Sequence, residues 1–97
     1  MLAKNQQTVL ISNAAAGQLA GPNNRRIAII ISAPLTNRFT LGFSGDAVLD
    51  QGITLYPGQT PLVLDQAVWG CAIHEAISAI SATAPQNISY VEILKDR

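Results

Sequence analysis

The feature that most constrains this chain is its punctuation. Turn signals break the chain at short intervals up to Gly58 and again at Pro85: Gly21-Pro22-Asn23-Asn24, Ala33-Pro34-Leu35-Thr36-Asn37, Ser44-Gly45-Asp46, Gln51-Gly52, Tyr56-Pro57-Gly58 and Pro85-Gln86-Asn87. Glycine admits positive φ, proline presets φ, and asparagine tolerates left-handed geometry. The segments left between them suit short strands better than helices of ordinary length.

Their composition agrees. Thr8 to Ser12 holds Val9, Leu10 and Ile11. Arg38 to Phe43 alternates, with Phe39, Leu41 and Phe43 on one face and Arg38, Thr40 and Gly42 on the other, the pattern of a half-buried strand. Ile53 to Leu55, Leu62 to Leu64 and Ile88 to Leu94 are further short strand candidates, the last with β-branched and aromatic residues. Pro57-Gly58 fits the centre of a type II turn. Arg26 to Ser32 is apolar on both faces: alternation sets Ile27, Ile29 and Ile31 against Ala28 and Ile30. This predicts a central strand covered twice, by a second sheet and by a neighbouring subunit.

Gln66 to Ala84 is ambiguous. Its alanines favour helix, but Gly70 interrupts and Val68, Trp69 and Ile73 suit a strand. We expect a strand over Val68 to His74 and leave Glu75 to Ala84 open between a short helix and an irregular β segment. The expectation is an all-β, single-domain antiparallel β-sandwich, jelly-roll-like, with seven or eight short strands over residues 1–97. Residues 1–7 read as a flexible N-terminal arm and 95–97 as a charged tail.

Charged residues make up 12% of the chain, well below the roughly 25% usual for soluble domains. A chain so poor in charge has either a large core share or surface meant for contact. Net charge is zero, and with no basic stripe a phosphate-driven nucleic-acid function is not expected. No apolar run reaches the length of a membrane span, and the N-terminus lacks a signal-peptide pattern. Cys71 is the lone cysteine, so an intrachain disulfide is impossible; its apolar neighbours predict a buried, inert thiol.

Reactive constellations are sparse. His74 is the lone histidine. With Cys71 three residues away it falls short of a metal site, which draws on several such ligands, and a metal-dependent cupin would need more histidines. Any Ser–His–acid triad would have to use His74, and no Gly-x-Ser-x-Gly elbow exists. Asp46 and Asp50 lie in a turn region, too thinly supported for glycoside hydrolysis or a calcium loop. Gly42-Phe43-Ser44-Gly45 is followed by no lysine, so it cradles no phosphate. The few aromatic residues do not make a stacking platform. No enzyme activity, cofactor or metal is expected. Four residues are candidate interface anchors: Arg25, Arg26, Tyr56 and Trp69.

Asn24 and Arg26 with the hydrophobic strand to Ile31, then Leu41-Gly42-Phe43, then Gly52-Ile53-Thr54-Leu55-Tyr56-Pro57-Gly58, follow in an order that resembles small tailed-bacteriophage virion proteins. Leu62-Val63-Leu64, Val68 to Ile73 and Ile88 to Leu94 look similar to that family's later strands, so the likeness covers about residues 22–94. It implies a jelly-roll-like capsid decoration or cement protein, located in the virion and assembled in the host cytoplasm. The implied partner is the major capsid protein, and the implied form a homo-oligomer, a trimer by preference, clamped over joints between capsid subunits. A small carbohydrate- or receptor-binding sandwich of a phage fibre or tail is the alternative; it needs exposed aromatics on one face.

Overall fold

The computed structural model describes residues 3–95, the side chains of Ala3, Cys71 and Ala72 excepted. Eight strands follow in order: β1 (Ala3–Ile11), β2 (Gly17–Ala20), β3 (Arg26–Ile31), β4 (Phe39–Phe43), β5 (Ile53–Leu55), β6 (Leu62–Asp65), β7 (Ile77–Ser81) and β8 (Gln86–Leu94). One helical turn, α1 (Gln66–Trp69), and a 3-10 segment (Gly70–His74) lie between β6 and β7.

The strands pair antiparallel as β1 with β8, β2 with β7, β3 with β6 and β4 with β5. This is one long hairpin with its tip between β4 and β5. Wrapping it on itself sends alternate pairs to alternate sheets, β1-β8-β3-β6 and β2-β7-β4-β5. That order is the jelly roll. Ile11, Ile29, Ile31, Leu64 and Ile88 from the first sheet meet Leu19, Phe39, Leu41, Leu55, Ile77 and Ala79 from the second, all buried.

The turn chemistry acts as expected where it is strongest. Gly58 has φ 85°, and the Gln59 N–H donates to the Tyr56 carbonyl at 3.3 Å, which closes the Pro57-Gly58 turn. The loop from Ser44 to Gln51 folds back over the outer side of β4. Thr40 lies fully buried beneath it, its hydroxyl bonded to Thr54 Oγ1 at 2.9 Å and accepting from the Asp50 N–H at 2.9 Å. Arg38 clamps the Asp50 carboxylate with two hydrogen bonds of 2.7 Å.

That clamp depresses the Asp50 pKa, first through the hydrogen bond from Arg38. A depressed carboxylate stabilises the fold above its ordinary titration range and loses that contribution as pH falls through the folded value. Asp50→Asn is therefore expected to be less stable than the parent at neutral pH. The gap closes in acid, as urea titrations at several pH values would read.

Four expectations are corrected. Residues 4–7 of the presumed arm belong to β1, which starts at Ala3 and pairs with β8 over its full length; Met1 and Leu2 lie outside the described residues, as do Asp96 and Arg97 of the charged tail. Val68 to His74 is not a strand. Asp65 caps α1 by accepting the Val68 N–H at 3.0 Å, and Gly70, with φ 60°, ends it. The segment then seats Ile73 in the core. β2 is absent from the strands expected above: Leu19 is its one strong β former, and its burial holds the strand in place. Lastly, β3 carries a bulge. Arg26 faces Leu94 while Ala28 faces Ile93, so Ile27 is the extra residue. The bulge resets the alternation and turns Arg26 inward together with Ile29 and Ile31.

The open segment, Glu75 to Ala84, resolves as β7. Ile77, Ala79 and Ser81 point into the core, so the sheet context outweighs the helix propensity of its alanines.

Candidate functional site

Of the four interface candidates, Arg26 is corrected. It is 0% exposed and forms the structural knot of the fold. Its Nε donates to Glu92 Oε2 at 2.6 Å. Nη1 donates to the carbonyls of Ile73 at 2.9 Å and Glu75 at 3.0 Å, and Nη2 to that of Gly21. Glu92, 4% exposed, also accepts from Asn5 Nδ2 at 2.9 Å. The guanidinium thus ties β8 to the loops at residues 21 and 73–75, and the buried pair is fully bonded, as burial requires.

The other three sit on different segments of the fold. Arg25, half-buried, binds the Lys95 carbonyl through Nε at 2.9 Å. Tyr56 is 51% exposed at the β5–β6 turn. Trp69 packs on Phe43 with ring centroids 5.3 Å apart and leans on the core. They do not form one patch. The expected burial of the Cys71 thiol lies outside the described side chains.

Among the described residues no group of three or more His, Cys, Asp or Glu side chains converges to hold a metal. Both Asp50 oxygens are taken by Arg38. His74 offers a buried Nε2 without a hydrogen-bond partner among the described residues, and no nucleophile is shown against it. A shallow depression of about 290 Å³ is lined by Gln6, Thr8, Ser32, Ser89 and Val91 among others. It presents hydroxyls and amides, but no exposed aromatic ring. Of the aromatic side chains only Tyr56 is exposed.

Burial and the charge of Glu92 also act on Tyr90, whose phenol they hold above its ordinary pKa of 10.0, burial first, with Arg26 opposing. A phenol with a raised pKa favours the fold while it stays neutral, and this is lost as pH rises through 10 towards the folded value. Stability is expected to fall above about pH 10, and Tyr90→Phe to flatten that alkaline slope in thermal melts.

The surface feature that stands out is the outer face of the β1-β8-β3-β6 sheet. Along β8, Ile88, Tyr90 and Glu92 point inward, while Val91 and Ile93 point outward. Near its C-terminal end this strand therefore has its charge inside and its aliphatics outside, the reverse of a sheet with one solvated face. The register sets Ile93 beside Ala28 and Val91 beside Ile30, and Ile30 beside Val63. Val63 is 56% exposed and the others are half-buried. These five residues make a continuous aliphatic strip across the middle of the sheet. Sequence alternation had marked Ala28 and Ile30 as a second apolar face; Val91 and Ile93 join them because Glu92 takes the inward phase.

No family model matches this chain, and no curated protein matches it. Among solved structures, a chain described by the words "Bacillus endospore appendages form a novel family of disulfide-linked pili" is similar in fold. The TM-score is 0.56 and the identity 8%, covering 99% of this chain and 89% of that one. At that identity the likeness concerns the fold alone, an all-β sandwich of two antiparallel sheets.

Proposed function

We propose that this protein is a non-enzymatic structural subunit of a larger protein assembly. The assembly implied by its resemblance to phage virion proteins is a tailed-bacteriophage head, where the chain would act as a decoration or cement protein on the major capsid protein. The observation that carries the reading is the aliphatic outer face of the β1-β8-β3-β6 sheet, Ala28, Ile30, Val63, Val91 and Ile93. Covering such a face gains roughly 25 cal/mol per Å² of apolar area, a gain repeated at every copy in a lattice. The small charged share, 12%, fits a surface of which part is meant to be covered. The glycan-binding alternative is disfavoured because Tyr56 alone among the aromatics is exposed.

The pilus chain of similar fold suggests a second setting, a fibre. Cys71 is the lone cysteine here, so each chain can make one intermolecular disulfide, which joins two chains and does not propagate. A fibre of this chain would have to rest on non-covalent contacts.

The test is co-sedimentation with purified phage heads, beside Ile30→Lys. The expected result is that the parent pellets with heads and the variant stays in the supernatant. Failure of the parent to bind heads, together with retention on immobilised glycans, would overturn the structural reading in favour of the binding-module alternative. Fibres of the purified chain in electron micrographs would move it from the head to an appendage.

A further inference from the structure

We propose that the outer face of the β1-β8-β3-β6 sheet docks onto the same face of a second copy of this chain, about a two-fold axis parallel to the strands. The proposal rests on the assembly reading above and names a second copy as what covers that face, so that Ile30→Lys loses the heads because it loses the paired form that binds them. It replaces the three-fold form implied by the phage resemblance with a two-fold one.

Charge placement selects the partner. Cross-strand register puts Lys4, Ile93, Ala28 and Asp65 in one row across the sheet, and Gln6, Val91, Ile30 and Val63 in the next. Lys4 sits on one edge strand and Asp65 on the other. Both share the outward phase, since Asn5, Glu92, Ile29 and Leu64, their neighbours in the adjacent row, point inward. Three strand spacings separate them, about 14 Å between backbones, too far for them to pair within one chain. The row is thus positive at one end, aliphatic in the middle and negative at the other end.

Two such faces can stack about two kinds of in-plane two-fold axis. An axis along the rows sets Lys4 over the copy's Lys4 and Asp65 over its Asp65, which repels at both edges. An axis along the strands exchanges the edges. It lays each Lys4 over the copy's Asp65, with Val91, Ile30, Ala28 and Ile93 closing against their counterparts between the two ion pairs. Packed sheets lie about 10 Å apart with strands within about 30° of each other, and the flexible lysine stem takes up the offset at the row ends. Asp65 Oδ1 is held by the α1 cap at 3.0 Å, which fixes the carboxylate on this face; among the described residues Oδ2 accepts no hydrogen bond, and the lysine can take it. Opposite charges at the rim and aliphatics at the centre match the anatomy of a protein interface, and each patch meets itself, as a two-fold contact demands.

The experiment uses complementary charge reversal in the full chain. Lys4→Glu alone sets Glu against Asp65 at both edges, and Asp65→Lys alone sets Lys against Lys4 at both. Mixed one to one, the two variants make two opposite-charge pairs. Light scattering at roughly 100 µM, where a micromolar dimer is well populated, and native mass spectrometry read the result. The parent is expected to be a dimer, each variant alone at least tenfold weaker, and the mixture restored as the mixed-mass dimer. Because Asp65→Lys removes the α1 cap, Asp65→Asn, which retains a capping side chain, serves if that variant does not fold. Its mixture with Lys4→Glu is again expected to associate more tightly than either variant alone. A mixture no tighter than its parts overturns the proposal. A parent that stays monomeric yet needs Ile30 to bind phage heads also overturns it, while leaving the assembly reading in place. Restored mixed dimers without head binding support the proposal and count against the phage-head assignment.

Discussion

Arg26→Met is expected to cost about 3–5 kcal/mol, the usual penalty for removing one partner of a buried ion pair. A domain of this size is typically stable by about 5–15 kcal/mol, so the variant sits at or near the edge of folding. The loss has two parts. Glu92, 4% exposed, keeps only Asn5 as a partner, and the carbonyls of Gly21, Ile73 and Glu75 lose their donor. Arg26→Lys does not rescue, because an ammonium cannot reproduce the planar fork that serves four acceptor groups at once. Adding Glu92→Leu to Arg26→Met removes the stranded charge and is expected to recover part of the stability, but not all, since the three carbonyls remain. Urea unfolding of the two single variants and the double variant reads this directly. Equal stability of parent and Arg26→Met would show that the knot is not what holds the 21 and 73–75 loops.

Gly42→Ala is the second large effect. A Cβ there would lie 2.8 Å from both the Ala47 Cα and the Ala47 N, and 2.8 Å from Ser78 Oγ. Two of the three obstacles are backbone, so the loop over β4 has to lift. Overpacking of this kind costs about 1–3 kcal/mol. Lifting the loop also strains the Asp50 N–H bond to Thr40 Oγ1, 2.9 Å long and made beneath it. Gly45→Ala, where nothing stands within 4 Å, is the control and is expected to stay within about 0.5 kcal/mol of the parent. If both glycine variants melt together with the parent, the loop is not seated on β4 as described.

Much of the sheet architecture was legible because turn chemistry and alternation are local. Pro57-Gly58, the Phe39-Leu41-Phe43 face and the β8 run each follow from neighbouring residues. What escaped depended on distant partners. β7 is rich in alanine and serine, and β2 has Leu19 as its one strong β former; both become strands because the wound hairpin gives them partners. The helical turn at Gln66 to Trp69 has a local signal, Asp65 followed by a short apolar stretch before Gly70, but it competes with the β-branched look of Val68 and Ile73.

Arg26 reads from the sequence as an interface anchor because it opens the central strand at a polar edge, and nothing local announces the bulge at Ile27 that turns it inward. One hint was available. Glu92 sits in phase with Ile88 and Tyr90, so a charge on the inward side of a strand called for a buried partner of opposite sign. The same phase relation exposes Val91 and Ile93 and completes the outer aliphatic strip.

That strip is the centre of the account, and the mass of the protein in solution tests it most directly. Sedimentation equilibrium of the parent is expected to give twice the single-chain mass of 10.3 kDa, and Ile30→Lys to return it to one chain while its melting curve stays close to the parent's. A parent that sediments as a single chain at every concentration, indistinguishable from Ile30→Lys, would contradict the two-fold docking of that strip.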